Sequence, residues 1–236
     1  MSRLATVTSL VEGAADDRTE AELLGLRSVS KRWGPRTVLD DVTLDIRPGE
    51  LIWLEGDNGV GKTTLLRIVV GMIHPDTGSV SLGGLHPERD RREYLRRVGF
   101  LSAGDRALYP RLSARRQLRF AASLALLPRP DQETAVAEVI DTFGLEEFVD
   151  RRADRLSTGQ RQRLRLAMSL VHRPSIVVLD EPTNSLDRGG LDILGAYLLD
   201  LGRRGGAAVW AAPSGTQAGL HFDRGFRLEG GKLIRR

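Results

Sequence analysis

The 236-residue sequence has no cysteine and only three lysines. It also lacks any apolar run approaching the ~18 residues needed to cross a bilayer as a helix. Without cysteine, disulfides, thiol catalysis and zinc–thiolate sites are excluded. The four histidines, His74, His86, His172 and His221, show no metal-ligand spacing. The first twenty residues mix Ser, Thr, Glu and Asp and lack the apolar core of a signal peptide. Together with the missing span, this predicts a cytoplasmic chain. The scarcity of lysine is a skew within the basic residues, since 35 Lys+Arg offset 31 Asp+Glu for a net charge of +4. Lys31, Lys62 and Lys232 therefore draw notice, because arginine does not replace a compact ammonium at a site that requires one. The Arg-dense stretch from Arg89 to Arg119 reads first as a solvated helical surface, and second as a contact for a protein or a phospholipid headgroup. A nucleic-acid partner is not expected.

What is present is the composition of a globular domain, 41% hydrophobic and 28% charged. Residues 1–22 are polar and read as a flexible extension, and residues 23–236 as one folded domain. Leu51-Ile52-Trp53-Leu54, Ile176-Val177-Val178-Leu179 and Ala207-Ala208-Val209-Trp210 are short continuous apolar runs, the pattern of strands buried on both faces. Helical periodicity over Thr64 to Val70 and before Ile176 alternates with them. The fold class is therefore α/β, with a mostly parallel sheet covered on both sides. Between about residues 105 and 155 the strand signals stop. Gln117 to Leu127 and Glu133 to Phe143 are helical in pattern and are separated by Pro128 and Pro130, which predicts an inserted helical subdomain.

Gly56-Asp57-Asn58-Gly59-Val60-Gly61-Lys62-Thr63-Thr64 fits G-x-x-x-x-G-K-[ST] between an apolar strand and a helix, the setting that a phosphate-binding loop requires. The glycines let backbone N–H groups turn inward around phosphates. Lys62 reaches the β- and γ-phosphates, the Thr63 hydroxyl can bind Mg²⁺, and the helix N-terminus adds partial positive charge. The competing reading is a Gly-rich turn that caps a helix. Average residue frequencies place the motif by chance in on the order of one chain in a hundred of this length. Here one of three lysines also falls on the position that needs it.

The run Ile176 to Leu179 ends in Asp180 and Glu181, with Asp180 placed to hold Mg²⁺ and Glu181 to orient or deprotonate an attacking water. Leu156-Ser157-Thr158-Gly159-Gln160 opens the preceding helix. Ser157 reads as an N-cap, and Gly159 allows backbone to approach a ligand.

These four segments (Gly56 to Thr64, Leu156 to Gln160, Ile176 to Glu181 and Ser185-Leu186-Asp187) stand in the order and rough spacing of ABC transporter ATPase domains. From about Leu23 to Leu233 the chain resembles that family. The resemblance implies a P-loop NTPase (RecA-like) core with an antiparallel N-terminal β part, ATP with Mg²⁺, and peripheral attachment at the cytoplasmic side of the cell membrane. It further implies a separate transmembrane permease subunit and a head-to-tail homodimer or heterodimer of ATPase chains. ATP would then lie between the phosphate loop of one copy and Ser157, Gly159 and Gln160 of the other, with Asp187 linking the two sites. Trp33 matches the aromatic that stacks on adenine.

Two polar residues of the family pattern are absent. Ala103 falls where a Gln reaches Mg²⁺ and the nucleophilic water, and Pro213 falls where a His contacts the γ-phosphate. Neither side chain donates a hydrogen bond. The leading expectation is an ATPase subunit that powers transport. The alternatives are a degenerate, slow or inactive subunit paired with a more active chain, and a soluble ABC-type ATPase of translation or repair. The last normally carries tandem domains or large insertions.

Overall fold

Strands that read as unbroken apolar runs need cover on both faces, and the architecture supplies it. The computed structural model describes residues 22–102, 108–184, 186–216 and 219–236. Ala103 and Ser185, and most of the predicted N-terminal extension, lie outside them.

The elements run β1 (Leu24–Trp33), β2 (Arg36–Ile46), β3 (Leu51–Gly56), α1 (Lys62–Val69), β4 (Thr77–Leu82), α2 (Arg91–Arg96) and β5 (Val98–Leu101). Then follow α3 (Ala114–Leu124), α4 (Arg129–Thr142), α5 (Thr158–Leu170), β6 (Ile176–Asp180), α6 (Arg188–Arg203), β7 (Ala207–Pro213), β8 (Arg224–Glu229) and β9 (Lys232–Arg235). Six strands form one sheet in the order β5-β6-β7-β3-β8-β9. All its neighbours are parallel except β9, which pairs antiparallel with β8. A second, three-stranded antiparallel sheet has the order β2-β1-β4.

Strand alternation divides the apolar side chains between two cores. On β6, Ile176 and Val178 join α1 and the antiparallel sheet, whereas Val177 and Leu179 join the helices α3 to α6. β7 repeats the division, with Val209 on the first side and Ala208 and Trp210 on the second. Between β5 and β6 the chain forms α3 and α4, which pack on each other and on α5. A bridge between Ser113 and Arg152 closes the base of this helical stretch. The Arg-rich stretch contributes surface ion pairs here, including Arg115 to Asp150 and Arg119 to Glu133. Among the described residues, no helix is long and apolar enough to cross a membrane.

Glu55, one residue before the phosphate loop, is a carboxylate only 3% exposed within the parallel sheet. Arg227 of β8 donates to its Oε1 at 2.9 Å, and Arg236, just past β9, donates to its Oε2 at 2.8 Å. The two guanidiniums supply the charge compensation that a buried carboxylate requires.

β5 approaches α5 closely. A Cβ built on Gly99 would lie 2.7 Å from Pro174 Cγ and 2.9 Å from the Ser169 carbonyl oxygen. Gly99→Val should therefore overpack this contact and cost about 1–3 kcal/mol. The expected result in urea is a lower unfolding midpoint at an unchanged slope.

Candidate functional site

β3 is a central strand, and the chain leaves its carboxyl end through residues 57–61 into α1. Gly61, the N-cap of α1, has φ +122°, and a Cβ there would stand 2.7 Å from Val38 Cγ1 and 3.0 Å from the Val38 carbonyl oxygen. Only glycine fits both the conformation and the space. No side chain caps this end of α1 and no acidic residue lies in its first turn, so its amide dipoles face the loop unneutralised.

Lys62 is 4% exposed. Its Nζ donates to the carbonyl oxygens of Gly56 at 2.6 Å and Asp57 at 3.1 Å. No carboxylate lies within ion-pair distance of this ammonium among the described residues. Beside it, the Thr63 hydroxyl donates to Asp180 Oδ2 at 3.0 Å, which ties α1 to the end of β6. Burial holds the Asp180 carboxyl above the ordinary carboxylate range. The Thr63 hydrogen bond opposes that shift, the neighbouring Glu181 charge adds to it, and the Lys62 and Arg67 charges pull it back. Two hard oxygens brought together in this way suit a cation such as Mg²⁺.

Glu181 follows with φ +53°, a left-handed conformation that a non-glycine residue adopts at a cost, while its N–H donates to the Ala211 carbonyl at 2.9 Å. Glu181, Trp33, Asn58, Gly59, Gly61, Lys62, Thr63 and Thr64 line one cleft of about 360 Å³, together with Arg36 and Val38. Trp33 is 53% exposed at its rim, with Lys31 Nζ 5.1 Å from the ring centroid. Within the loop, the Val60 N–H donates to the Asp57 carbonyl at 3.3 Å. Pro213 ends β7 in register with Gly56, half-buried beside the loop.

The other predicted residues form a separate group. Ser157 caps α5, accepting from the Gln160 N–H at 3.2 Å, and its own N–H donates to Gln160 Oε1 at 3.0 Å. The Gln160 side chain is thus committed to a capping box. Asp187 caps α6, accepting from the Gly190 N–H at 2.7 Å and from Arg163 Nη2 at 2.9 Å. These contacts hold its carboxyl below the usual range. A Cβ on Gly159 would stand 3.4 Å from Asp187 Oδ2, so the α5 start and Asp187 are neighbours. Sequence reading missed Arg36, whose Nη2 donates to the Gly59 carbonyl at 2.9 Å, because no motif marks an arginine at that point.

The raised Asp180 pKa carries a stability consequence. A carboxyl whose folded pKa lies above its unfolded value favours folding while protonated, and that contribution is lost as pH rises through the folded pKa. At neutral pH the ionised group therefore costs stability. Asp180→Asn should raise the thermal midpoint of the nucleotide-free protein at pH 7 by a few degrees, at about 2–4 °C per kcal/mol. The gain should shrink as the pH falls into the acid range. A lower midpoint at pH 7 would contradict this assignment.

Residues 39–184 match the family described as ABC transporter. Relatives agree along most of the chain. The ABC transporter ATP-binding protein NatA of Bacillus subtilis is 29% identical over 83% of this chain and 80% of its own length. An uncharacterised ABC transporter ATP-binding protein of Mycobacterium tuberculosis, Rv0986, is 33% identical over 84% and 82%. Other relatives are longer, and the chain spans 59% and 48% of two of them. A solved structure described as the ATP-binding subunit of an ABC transporter superposes with a TM-score of 0.81 at 24% identity, covering 89% of this chain and 88% of that one. The chain belongs to the ABC transporter family, as an ATP-binding, ATP-hydrolysing subunit that powers a transporter.

Proposed function

We propose that the cleft between Trp33 and Lys62 binds Mg-ATP, with the phosphates on the loop Gly56 to Thr64 and adenine on Trp33. The observation that carries this reading is the buried Lys62 ammonium, which has carbonyl partners and, among the described residues, no carboxylate within ion-pair distance. A desolvated cation with no ion-paired carboxylate is only partly compensated, and a phosphate chain supplies a direct counter-charge. Thr63 and Asp180 would hold Mg²⁺, which when bound neutralises phosphate charge. Glu181 lines the same cleft and is assigned to orient and deprotonate the attacking water.

Ser157, Gly159, Gln160 and Asp187 form their own cluster around the starts of α5 and α6. On this reading they act on the nucleotide of a second ATPase chain, identical or different, in a head-to-tail dimer. A separate membrane-spanning subunit would complete the transporter and hold the chain at the cytoplasmic face of the membrane. The predicted helical subdomain, with α3 and α4, is proposed to meet that subunit. The similarity to ABC transporter ATP-binding proteins such as NatA and Rv0986 supports this division of labour.

A slow-turnover variant of the same reading is favoured by Pro213, which stands opposite Gly56 and offers no donor to a γ-phosphate. Removing one transition-state donor of this kind costs about 3–4 kcal/mol, a hundred- to a thousandfold in rate. Ground-state binding is untouched by that loss.

Lys62→Ala should weaken Mg-ATP binding in a calorimetric titration by roughly ten- to a hundredfold, because hydrogen bonds to charged groups contribute about 1.5–3 kcal/mol. Unchanged affinity would dismiss the loop as the phosphate site. In a steady-state ATPase assay, Pro213→His should raise turnover and Glu181→Gln should abolish it. Fast wild-type hydrolysis that Pro213→His leaves unchanged would show that another group fills the position. For the membrane assignment, native protein should fractionate with a membrane-spanning chain, and recovery solely as a free species would count against it.

A further inference from the structure

Arg36 opens β2 and pairs in register with Trp33, the last residue of β1, across the turn at Gly34 and Pro35. Its Nη2 donates to the Gly59 carbonyl at 2.9 Å, and the side chain lines the same cleft as Trp33, Asn58 and Lys62. No carboxylate engages it among the described residues. Two other cations on these sheets are paired with carboxylates, Lys31 with Asp76 at 2.7 Å and Arg227 with Glu55 at 2.9 Å.

A guanidinium carries five N–H donors in a planar fork. Anchoring one of them on Gly59 fixes the group at the loop and leaves four for a ligand. The anchor also places it between the ring assigned to the base and the loop assigned to the phosphates. On the proposed pose, the phosphate chain crosses that interval. Guanidinium and phosphate match as parallel, charge-assisted donors and acceptors, a geometry that an ammonium does not reproduce. Among the described residues, the cleft lining contains one other cation, Lys62, and one carboxylate, Glu181.

We propose that Arg36 is a nucleotide-contacting residue whose guanidinium, held by the Gly59 carbonyl, binds the phosphate chain alongside Lys62. This rests on the cleft being the nucleotide site. Because Arg36 is exposed, its truncation leaves the core packing intact. It draws its ligand specificity from phosphate charge rather than from the base.

The test titrates the full chain with Mg-ATP and with adenosine by calorimetry, for wild type, Arg36→Ala, Arg36→Lys and Lys62→Ala. Arg36→Ala should weaken Mg-ATP binding by about five- to tenfold, as expected for loss of a charge-assisted contact. Adenosine affinity and the thermal midpoint without nucleotide should stay at wild-type values, which a merely structural role would not produce. Arg36→Lys should recover part of the loss, since it restores charge without the fork. If Lys62→Ala loses ATP affinity while Arg36→Ala binds ATP like wild type, the Arg36 assignment is overturned and the site stands. An equal loss for ATP and adenosine in Arg36→Ala overturns the phosphate assignment. If neither alanine variant changes ATP affinity, the cleft is not the nucleotide site and the Arg36 proposal falls with it.

Discussion

The Lys62 ammonium, buried and satisfied by two carbonyls of its own loop, is the constraint to which the surrounding structure conforms. Holding those carbonyls inward requires the reversal at Gly61, which in turn requires a side-chain-free position against Val38 of the antiparallel sheet. The small sheet is therefore part of the loop's mould as well as the support for Trp33. The sheet order places β7 between β3 and β6, so the loop and the acidic pair at the end of β6 sit two strands apart. Thr63 bridges that gap through its bond to Asp180.

The described residues separate the motif side chains into two clusters. One surrounds the phosphate loop, and the other surrounds the caps of α5 and α6. Their chemistries differ accordingly. The first holds a buried cation and a buried carboxylate whose charges are only partly compensated within the chain. The second is tied together by local bonds, since Ser157 and Gln160 form a capping box and Asp187 accepts from Arg163 and from the Gly190 amide. On the proposed reading, these bonds order the helix starts in advance, which lowers the cost of presenting them to a second chain.

The apolar strands were legible in the sequence because both of their faces are covered, which erases alternation and leaves continuous runs such as Ile176 to Leu179. Helix boundaries were less legible. α3 begins at Ala114 because Ser113 caps it, three residues before the periodicity begins at Gln117. α4 starts at Arg129 because Pro130 is tolerated in a first helical turn, where it sacrifices no intrahelical bond. The register of β1 and β2 was hidden by bulges, with Ser28 and Asp41 in left-handed conformations that break the two-residue period. The site residues inside motifs could be read, since their spacing is itself the signal. Arg36 could not, being one of 32 arginines with no spacing rule attached. The Glu55 clamp joins residues 172 and 181 positions apart, a separation that no local pattern encodes.

That clamp also bears on how the molecule opens. An edge strand such as β9 ordinarily frays alone, exchanging its amide hydrogens through small local fluctuations. Here the chain just beyond β9 is fastened through Arg236 to a buried carboxylate on β3, with Arg227 of the intervening strand bound to the same group. Detaching the edge therefore strips a counter-charge from Glu55 and loads the residue that leads into the phosphate loop. The periphery of the sheet and its centre thus belong to one cooperative unit.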